Sequence, residues 1–537
     1  MFGKMSDYTG GMDLTKMSDK ECKARLAACI PKEIIDFYSK EGGRSLLIKG
    51  AAGTGKTTFA LQLLEEFSDP DSSFYISTRV SDDSLYNQFP WLKDKEMRGR
   101  VIDSSRDFLQ ALYQKAKDQE ASDKEQGKMD KKLLGAKEFL KSLNKTKSPT
   151  KVDRAQLSML MEEFDYSDLV EIRRMYDRIE EKLPKKCLCV VDSVEGITNK
   201  YKINPDSLIM ALQKDLVEAS NTNLMFVMEF AEDTSIDYLV DGVITISRTE
   251  IEGRRIREIQ LHKLRATEIR QPRYLTTLKG GRFKSFEAFN PKVEKATKFE
   301  PIPDSETKYS TGCPDLDQLM GGGYGKGSYN VIEIGDNVSQ EEYYSIVRPI
   351  MLNFISHGRG AIAVLTGGDH ADALRNDLVR FIEPGTFDKY VHIADYFVQE
   401  TEKPYVMALG TRNKEEAIRV WRRVYEDLRG PDKTNPKPIM DFAGFDTLEY
   451  LRGGDVAIKD LFNTVGGIKI SDDLGIGILK PGLKLTQEIQ NMADTYFKIL
   501  DINNSCCIYG VKPHTIIYVI TPDEDKGYPN VKFSPIV

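Results

Sequence analysis

Short apolar runs alternate with longer stretches of helical spacing along most of this 537-residue chain. The runs SLLIK (45–49), CLCVVD (187–192) and NLMFV (223–227) are apolar at nearly every position, which predicts buried strands. The stretch between 56 and 67, KTTFALQLLEEF, has the periodicity of a helix. Strands that alternate with helices predict an α/β fold in which a mostly parallel sheet is covered on both faces.

The same pattern restarts near residue 305, so the length suits two tandem domains. A highly charged stretch at about 106–165 interrupts the first domain and is expected to be an exposed helical insertion. The predicted organisation is an N-terminal extension (1–29), a first domain (30–290), a linker (291–306) and a second domain (307–537).

Composition narrows the class of protein. Hydrophobic residues make up 40% and charged residues 30%, which are globular values, and the net charge of −7 argues against a nucleic-acid coat protein. The seven cysteines form no CxxC pair, so core packing is expected rather than metal ligation. No apolar run approaches the ~20 residues that span a bilayer. We therefore expect a cytoplasmic protein with no membrane partner.

A glycine-rich loop follows the first predicted strand. Gly50, Gly55, Lys56 and Thr57 fit the pattern G-x-x-x-x-G-K-[ST] between a strand and a helix. In such a loop the backbone N–H groups and the helix N-terminus cradle phosphates, and the lysine neutralises the β- and γ-oxygens. The predicted nucleotide-binding residues are Gly50, Ala51, Ala52, Gly53, Thr54, Gly55, Lys56, Thr57 and Thr58.

The chemistry also needs a magnesium ligand at the end of a strand. Asp192 follows the apolar run 187–191, and together with the Thr57 hydroxyl it is the predicted Mg²⁺ site. The expected cofactors are therefore ATP and Mg²⁺.

These motifs, with YLVDGVITI at 238–246 and LHKLRATE at 261–268, resemble the KaiC-like branch of the RecA superfamily. Within that branch the stretch 30–64 and FYISTRVSDD at 74–83 resemble GvpD-like proteins, the gas vesicle regulatory proteins. The resemblance covers nearly all of 30–290. It implies two tandem RecA-like P-loop domains.

The resemblance also implies two catalytic features. Lys263 and Arg265 match a Lys-x-Arg pair that reaches the γ-phosphate held by a neighbouring subunit, which implies a ring or another head-to-tail homo-oligomer. Arg79 and Val80 stand where KaiC-like ATPases carry a glutamate pair that polarises water. Because an arginine cannot accept a proton, hydrolysis is expected to be slow while binding is kept. Asp82 or Asp83 could substitute, although the spacing does not show it.

The second domain resembles a KaiC-like domain with a degenerate loop. Aligning Gly335 with Gly50 puts Gln340 in place of Gly55 and Glu341 in place of Lys56. A carboxylate there would repel a triphosphate, and the lost glycine removes the backbone cradle. Asp441 aligns with Asp192.

Basic residues are concentrated between 254 and 284, where ten Lys or Arg stand against two Glu. This stretch could contact DNA, a regulatory protein or a neighbouring subunit. A neighbouring subunit carries the most weight, and nucleic acid is not favoured.

Three functions remain open. The first is an ATP-dependent oligomeric switch that docks a regulatory protein partner, favoured by the GvpD resemblance, the missing glutamates and the degenerate second domain. The second is a RadA-like DNA-dependent ATPase, for which no helix-hairpin-helix module is found. The third is a KaiC-like autokinase, which Glu341 disfavours.

Overall fold

The computed structural model describes residues 29–67, 72–93, 101–103, 169–232, 234–291, 296–410 and 414–537. The chain forms two compact units. The first contains the described residues up to Ser247, with Ile259–Arg273 and Gly280–Lys284; the second contains Arg248–Glu258, Tyr274–Lys279 and Ser285–Val537. Nearly all of the predicted N-terminal extension and the whole predicted insertion lie outside the described residues.

The elements up to residue 285 alternate as the apolar pattern predicts. The helices are α1 (Lys32–Ser39), α2 (Lys56–Phe67), α3 (Asp82–Gln88), α4 (Val170–Glu180), α5 (Val194–Tyr201), α6 (Pro205–Leu212), which continues as a π-helical segment (Gln213–Ala219), and α7 (Ile236–Leu239). The strands are β1 (Ser45–Lys49), β2 (Ser73–Ser77), β3 (Val101–Asp103), β4 (Leu188–Asp192), β5 (Asn223–Val227), β6 (Gly242–Ile251), β7 (Arg254–Leu264), β8 (Arg273–Thr277) and β9 (Lys284–Ser285).

The strands of the first sheet run in the order β3-β2-β4-β5-β1-β6-β7-β8-β9, and the pairs from β3 to β6 are parallel. Strand β1 is central, with Leu46 opposite Met225 of β5 and Gly242 of β6. All five residues of β1 are buried, as expected for a parallel strand covered on both faces. The carboxyl ends of these strands therefore meet at one edge, which is where a ligand binds in such sheets.

The elements from residue 308 onward repeat this arrangement. The helices are α8 (Pro314–Leu319), α9 (Gln340–Ser356), α10 (Ala371–Leu378), α11 (Pro384–Tyr390), α12 (Lys414–Arg429), α13 (Phe445–Arg452), α14 (Gly454–Ser471) and α15 (Thr486–Met492). The strands are β10 (Lys308–Tyr309), β11 (Tyr324–Gly325), β12 (Ser328–Ile334), β13 (Gly360–Val364), β14 (Val391–Asp395), β15 (Val406–Ala408), β16 (Ile439–Gly444), β17 (Leu474–Leu479), β18 (Thr495–Ile502), β19 (Ser505–Lys512), β20 (Tyr518–Pro522) and β21 (Val531–Pro535).

The second sheet has the order β15-β14-β13-β16-β17-β12-β18-β19-β20-β21. Its pairs from β15 to β18 are parallel, and β18 to β21 pair antiparallel. The order β13-β16-β17-β12-β18 matches β2-β4-β5-β1-β6 of the first sheet, strand for strand. The predicted fold class, two tandem domains with mostly parallel sheets and flanking helices, is confirmed.

Each unit has its own core. In the first, Cys187 and Cys189 are buried among the apolar residues of β4, β5, α4 and α6. In the second, α9 supplies a long buried face. Residues 296–306, predicted as linker, pack within the second unit: Phe299 lies in its core and Asp304 pairs with Arg359 at 2.6 Å. No helix in the described part of the chain is long and apolar enough to cross a membrane.

Candidate nucleotide site

The glycine-rich loop joins β1 to α2 at the carboxyl edge of the first sheet. Gly53 and Gly55 have φ values of 75° and 107°, a region that L-residues rarely adopt. A Cβ on Gly50 would lie 2.2 Å from the carbonyl oxygen of Ile246, so this position has no room for a side chain. The loop backbone is therefore built on glycine at three positions, of which the motif specifies Gly50 and Gly55.

Lys56 is the first residue of α2 and is buried. Its Nζ donates to the carbonyl of Ala51 at 2.8 Å, and the Thr54 hydroxyl donates to the same carbonyl at 3.0 Å. Desolvation lowers the pKa of Lys56, and the carboxylates of Glu229, Asp192 and Glu195 oppose that shift. Ala51 and Ala52 are exposed, whereas Thr58 is buried. The lysine thus sits inside the curve of the loop with negative charge around it.

Thr57 and Asp192 lie next to each other although 135 residues separate them. The Thr57 hydroxyl donates to Asp192 Oδ2 at 2.7 Å, and the Tyr75 hydroxyl donates to the same oxygen at 2.6 Å. Asp192 is the last residue of β4, where it stands opposite Ser77 of β2 and Val227 of β5. A hydroxyl and a carboxylate oxygen at this edge suit the hard oxygen coordination that Mg²⁺ requires alongside phosphate oxygens.

Arg79 forms an ion pair with Glu229 beside the loop. Their side chains are 44% and 37% exposed. The hydrogen bond from Arg79 holds the pKa of the Glu229 carboxyl below its usual range. The backbone of Val80 bonds to Ser77. Its carbonyl accepts the Ser77 hydroxyl, and its N–H donates to the hydroxyl oxygen of Ser77 at 3.3 Å.

Two glutamates at this edge were missed by sequence reasoning. Glu195 lies in the first turn of α5, and its Oε1 accepts the backbone N–H of Glu229 at 2.7 Å. Its Oε2 is buried and has no hydrogen-bond partner among the residues that the structure describes. Glu195 follows the end of β4, and the second glutamate, Glu229, follows the end of β5. Their position after a central strand is the sequence signal that could have identified both residues. Asp83, considered from the sequence, is exposed on α3, and the side chain of Asp82 lies outside the described residues.

Lys263 and Arg265 lie at the end of β7 and contact residues of their own chain. Lys263 Nζ donates to the carbonyls of Asp237 and Val240 at 3.0 and 2.6 Å. Arg265 pairs with Asp241 at 2.8 Å while 59% of its side chain stays exposed. A role on a neighbouring subunit would require both cations to exchange these partners, and it stays a prediction.

Several arginines of the basic stretch 254–284 are structural. Arg254 and Arg257 are buried, and they donate to backbone carbonyls that include those of Gly510 and Val537 in the second unit, to which both arginines belong. Arg282 pairs with Glu65 and stacks on Trp91, 3.8 Å from the ring centroid. These three guanidinium groups are therefore engaged in contacts within the chain.

The loop of the second unit, 335–339, has none of its residues at positive φ. Ser339 is the N-cap of α9 and forms a capping box: Glu342 Oε2 accepts the Ser339 N–H and hydroxyl at 2.6 and 2.7 Å, and the Glu342 N–H donates to Ser339 Oγ at 3.3 Å. Glu341 pairs with Arg348 at 2.8 Å. The helix N-terminus that would face a phosphate is thus occupied by the chain's own carboxylates.

The residues around this second loop also bond to one another. Asp369 accepts hydrogen bonds from side chains of β13's carboxyl end and of α9: Gln340, Tyr343, Tyr344 and Thr366. Gln340 is the first residue of α9, as Lys56 is of α2, and Glu341 follows it. Because assigned helix starts vary by a residue or two, the placement of Glu341 at the lysine position stays a prediction.

Asp441 does not occupy a position equivalent to that of Asp192. It lies three residues before the end of β16, opposite Gly475 of β17, whereas Asp192 ends its strand. The half-buried Asp441 carboxyl accepts the Tyr425 hydroxyl, and desolvation raises its pKa to about 7.

Two family models match successive parts of the chain. Residues 34–262 match the family model "GvpD gas vesicle protein, P-loop domain", and residues 298–405 match the model "GvpD basic region 2". Protein GvpD2 of Halobacterium salinarum is 24% identical over 530 residues, covering 95% of this chain and 97% of that protein. Protein GvpD1 of the same organism is 24% identical over 563 residues, covering 94% and 96%. The chain belongs to the GvpD-like branch of the P-loop proteins.

Proposed function

We propose that this chain is a regulatory switch that binds Mg·ATP in its first unit, assembles with copies of itself and docks a regulatory protein partner. The observation that carries the proposal is the contrast between the two loops. The first combines glycines at positive φ with a buried lysine and the Thr57–Asp192 contact. The second is closed by its own capping box.

In the first unit, the loop N–H groups and Lys56 would hold the phosphates, and Thr57 and Asp192 would hold the metal. Bound Mg·ATP supplies a terminal phosphate whose charge and later loss distinguish two states of the protein. Lys56 must leave the Ala51 carbonyl to reach a phosphate, and Thr57 must turn from Asp192 toward the metal. The site thus contains contacts that a ligand would replace.

Slow turnover is part of the proposal. Arg79 cannot take a proton from water, and it engages the neighbouring carboxylate of Glu229. Glu195 lies at the same edge of the sheet, where its side chain accepts the Glu229 N–H. A regulator needs a long-lived bound state more than it needs rapid hydrolysis. The GvpD matches support a regulatory rather than a DNA-processing function.

The test is nucleotide binding, turnover and oligomeric mass of the full chain, measured with and without Mg·ATP. We expect nucleotide-dependent assembly with slow hydrolysis, and loss of both in Lys56→Ala. Lys214→Ala, which removes an exposed lysine of the same unit, is the matched control and should behave as the unmodified protein. ATP at 100 times its dissociation constant should also stabilise the protein by ~2.7 kcal/mol.

Two results would contradict the proposal. Rapid turnover that disappears in Lys56→Ala would favour a motor or recombinase, and stimulation by single-stranded DNA would identify the latter. Unchanged mass with and without nucleotide would remove the assembly step.

A further inference from the structure

The ion pair between Arg79 and Glu229 joins the segments that follow the carboxyl ends of β2 and β5. On one side, the Gly50 N–H donates to the Phe230 carbonyl at 3.0 Å, so the residue next to Glu229 is bonded to the first residue of the loop. On the other side, the Thr78 N–H donates to the Asp192 carbonyl at 2.9 Å, so Arg79 follows a residue bonded to the predicted metal ligand. The pair therefore lies beside both halves of the site.

The charges at this place are arranged around Lys56. Glu229 raises and Arg79 lowers the pKa of the lysine, which means that both side chains act electrostatically on the ammonium. A guanidinium close to the phosphate-binding lysine is a second cation available to the same anion.

The pair is also easy to open. Both side chains are more than a third exposed, and an exposed ion pair contributes little net stability. Glu229 can turn to solvent when Arg79 leaves, and a phosphate offers the guanidinium fork a stronger, more highly charged acceptor than one carboxylate does.

We propose that Arg79 is a γ-phosphate ligand supplied by the same chain, held in reserve by Glu229, and that this exchange lets the site distinguish ATP from ADP. The inference rests on the proposed nucleotide-binding function. With ADP or an empty site, Arg79 stays on Glu229. With ATP, Arg79 moves to the terminal phosphate. Because Arg79 lies in the segment between β2 and α3, this movement signals the bound terminal phosphate to the start of α3.

This assignment also explains the replacement at this position. An arginine has no acceptor with which to activate water. At this position it instead recognises the γ-phosphate, the group that hydrolysis would remove. The consequence is a site that responds to ATP and keeps it.

The experiment measures dissociation constants for AMP-PNP and ADP with Mg²⁺ by titration calorimetry on the full chain. We expect Arg79→Ala to weaken AMP-PNP binding roughly tenfold to a hundredfold, the range for a lost hydrogen-bonded charge contact, and to change ADP binding by less than about threefold. Arg79→Lys should fall between, because lysine keeps the charge but not the fork. Glu229→Gln should raise the AMP-PNP preference, and should do so only while Arg79 is present.

Arg270→Ala is the matched control, since it removes an exposed arginine paired with Glu268 in the same unit, and it should leave both constants unchanged. An AMP-PNP preference over ADP that is as large in Arg79→Ala as in the unmodified protein would overturn the inference and leave the nucleotide site standing. Absence of binding by the unmodified protein would overturn the proposed function and this inference together. A folded Arg79→Lys that loses both nucleotides equally would show that Arg79 only supports the loop.

Discussion

Asp441 allows a pH-dependent test of the second unit. Its carboxyl is half-buried in β16, and desolvation raises its pKa to about 7 from the ordinary value of 3.8, while the Tyr425 hydroxyl and Arg429 oppose the shift and Asp473 adds to it. At a pH between these two pKa values, Asp441 is protonated in the folded protein but ionised in the unfolded chain. Stability therefore falls as the pH rises through this window, which is the opposite of the usual carboxylate.

The size of the effect follows from the same two values. A difference of about three units, at ~1.36 kcal/mol each, gives a penalty of about 4 kcal/mol once the pH exceeds 7. Asp441→Asn removes the ionisation and keeps an oxygen that can accept the Tyr425 hydroxyl. The variant should match the unmodified protein near about pH 4 and exceed its free energy of unfolding by up to about 4 kcal/mol near about pH 8.

Urea unfolding of both proteins between about pH 4 and about pH 8 measures this difference. Glu426→Gln removes an exposed carboxylate from the helix that carries Tyr425, and it should change the free energy of unfolding little throughout. A difference between Asp441→Asn and the unmodified protein that stays constant across this pH range would refute the reasoning. So would a difference that shrinks as the pH rises.

Two further predictions concern charges next to the two loops. Lys49 is fully buried and donates to Asp237 at 2.6 Å. Lys49→Met should therefore cost ~3–5 kcal/mol in urea unfolding, because it leaves the Asp237 carboxylate without its ion-pair partner. Adding Asp237→Asn should recover much of the loss. Equal stability of the single and double variants would contradict this. Glu342→Ala should cost about 1 kcal/mol by removing the capping box of α9, whereas Glu341→Ala, whose carboxylate is 62% exposed, should cost less. The reverse order in thermal unfolding would show that the box contributes nothing.

The loop with Lys56 and the strand end at Asp192 were predictable from local patterns, whereas the other side chains that strand order brings to the site were not. The loop and Lys56 are specified within eight residues, because glycine turns and helix starts are local. Tyr75, in contrast, meets Asp192 across 117 residues. Glu195 and Glu229 meet only because β4 and β5 are neighbours. No local pattern states which strands pair.

The second unit shows the same limit at a single residue. An aspartate after an apolar run predicts a strand end, and Asp192 is one. In the second unit the apolar run continues past Asp441, so the strand runs on to Gly444 and the carboxylate stays inside it. The sequence also predicts a loop without its lysine, but not the network on Asp369 that closes it.

The difference between the loops bears on why a chain keeps both units. Glycine at positive φ loses more conformational entropy on folding than other residues, so a loop retains three such glycines where its backbone must stay open to a ligand. The second loop has exchanged that backbone for a capping box that satisfies the helix start from within. Its sheet keeps the strand order of the first, because a core and strand pairing do not depend on an occupied phosphate site. In the switch that we propose, the second unit needs no nucleotide to complete its loop, so its structure would stay the same whether the first unit holds ATP, ADP or neither.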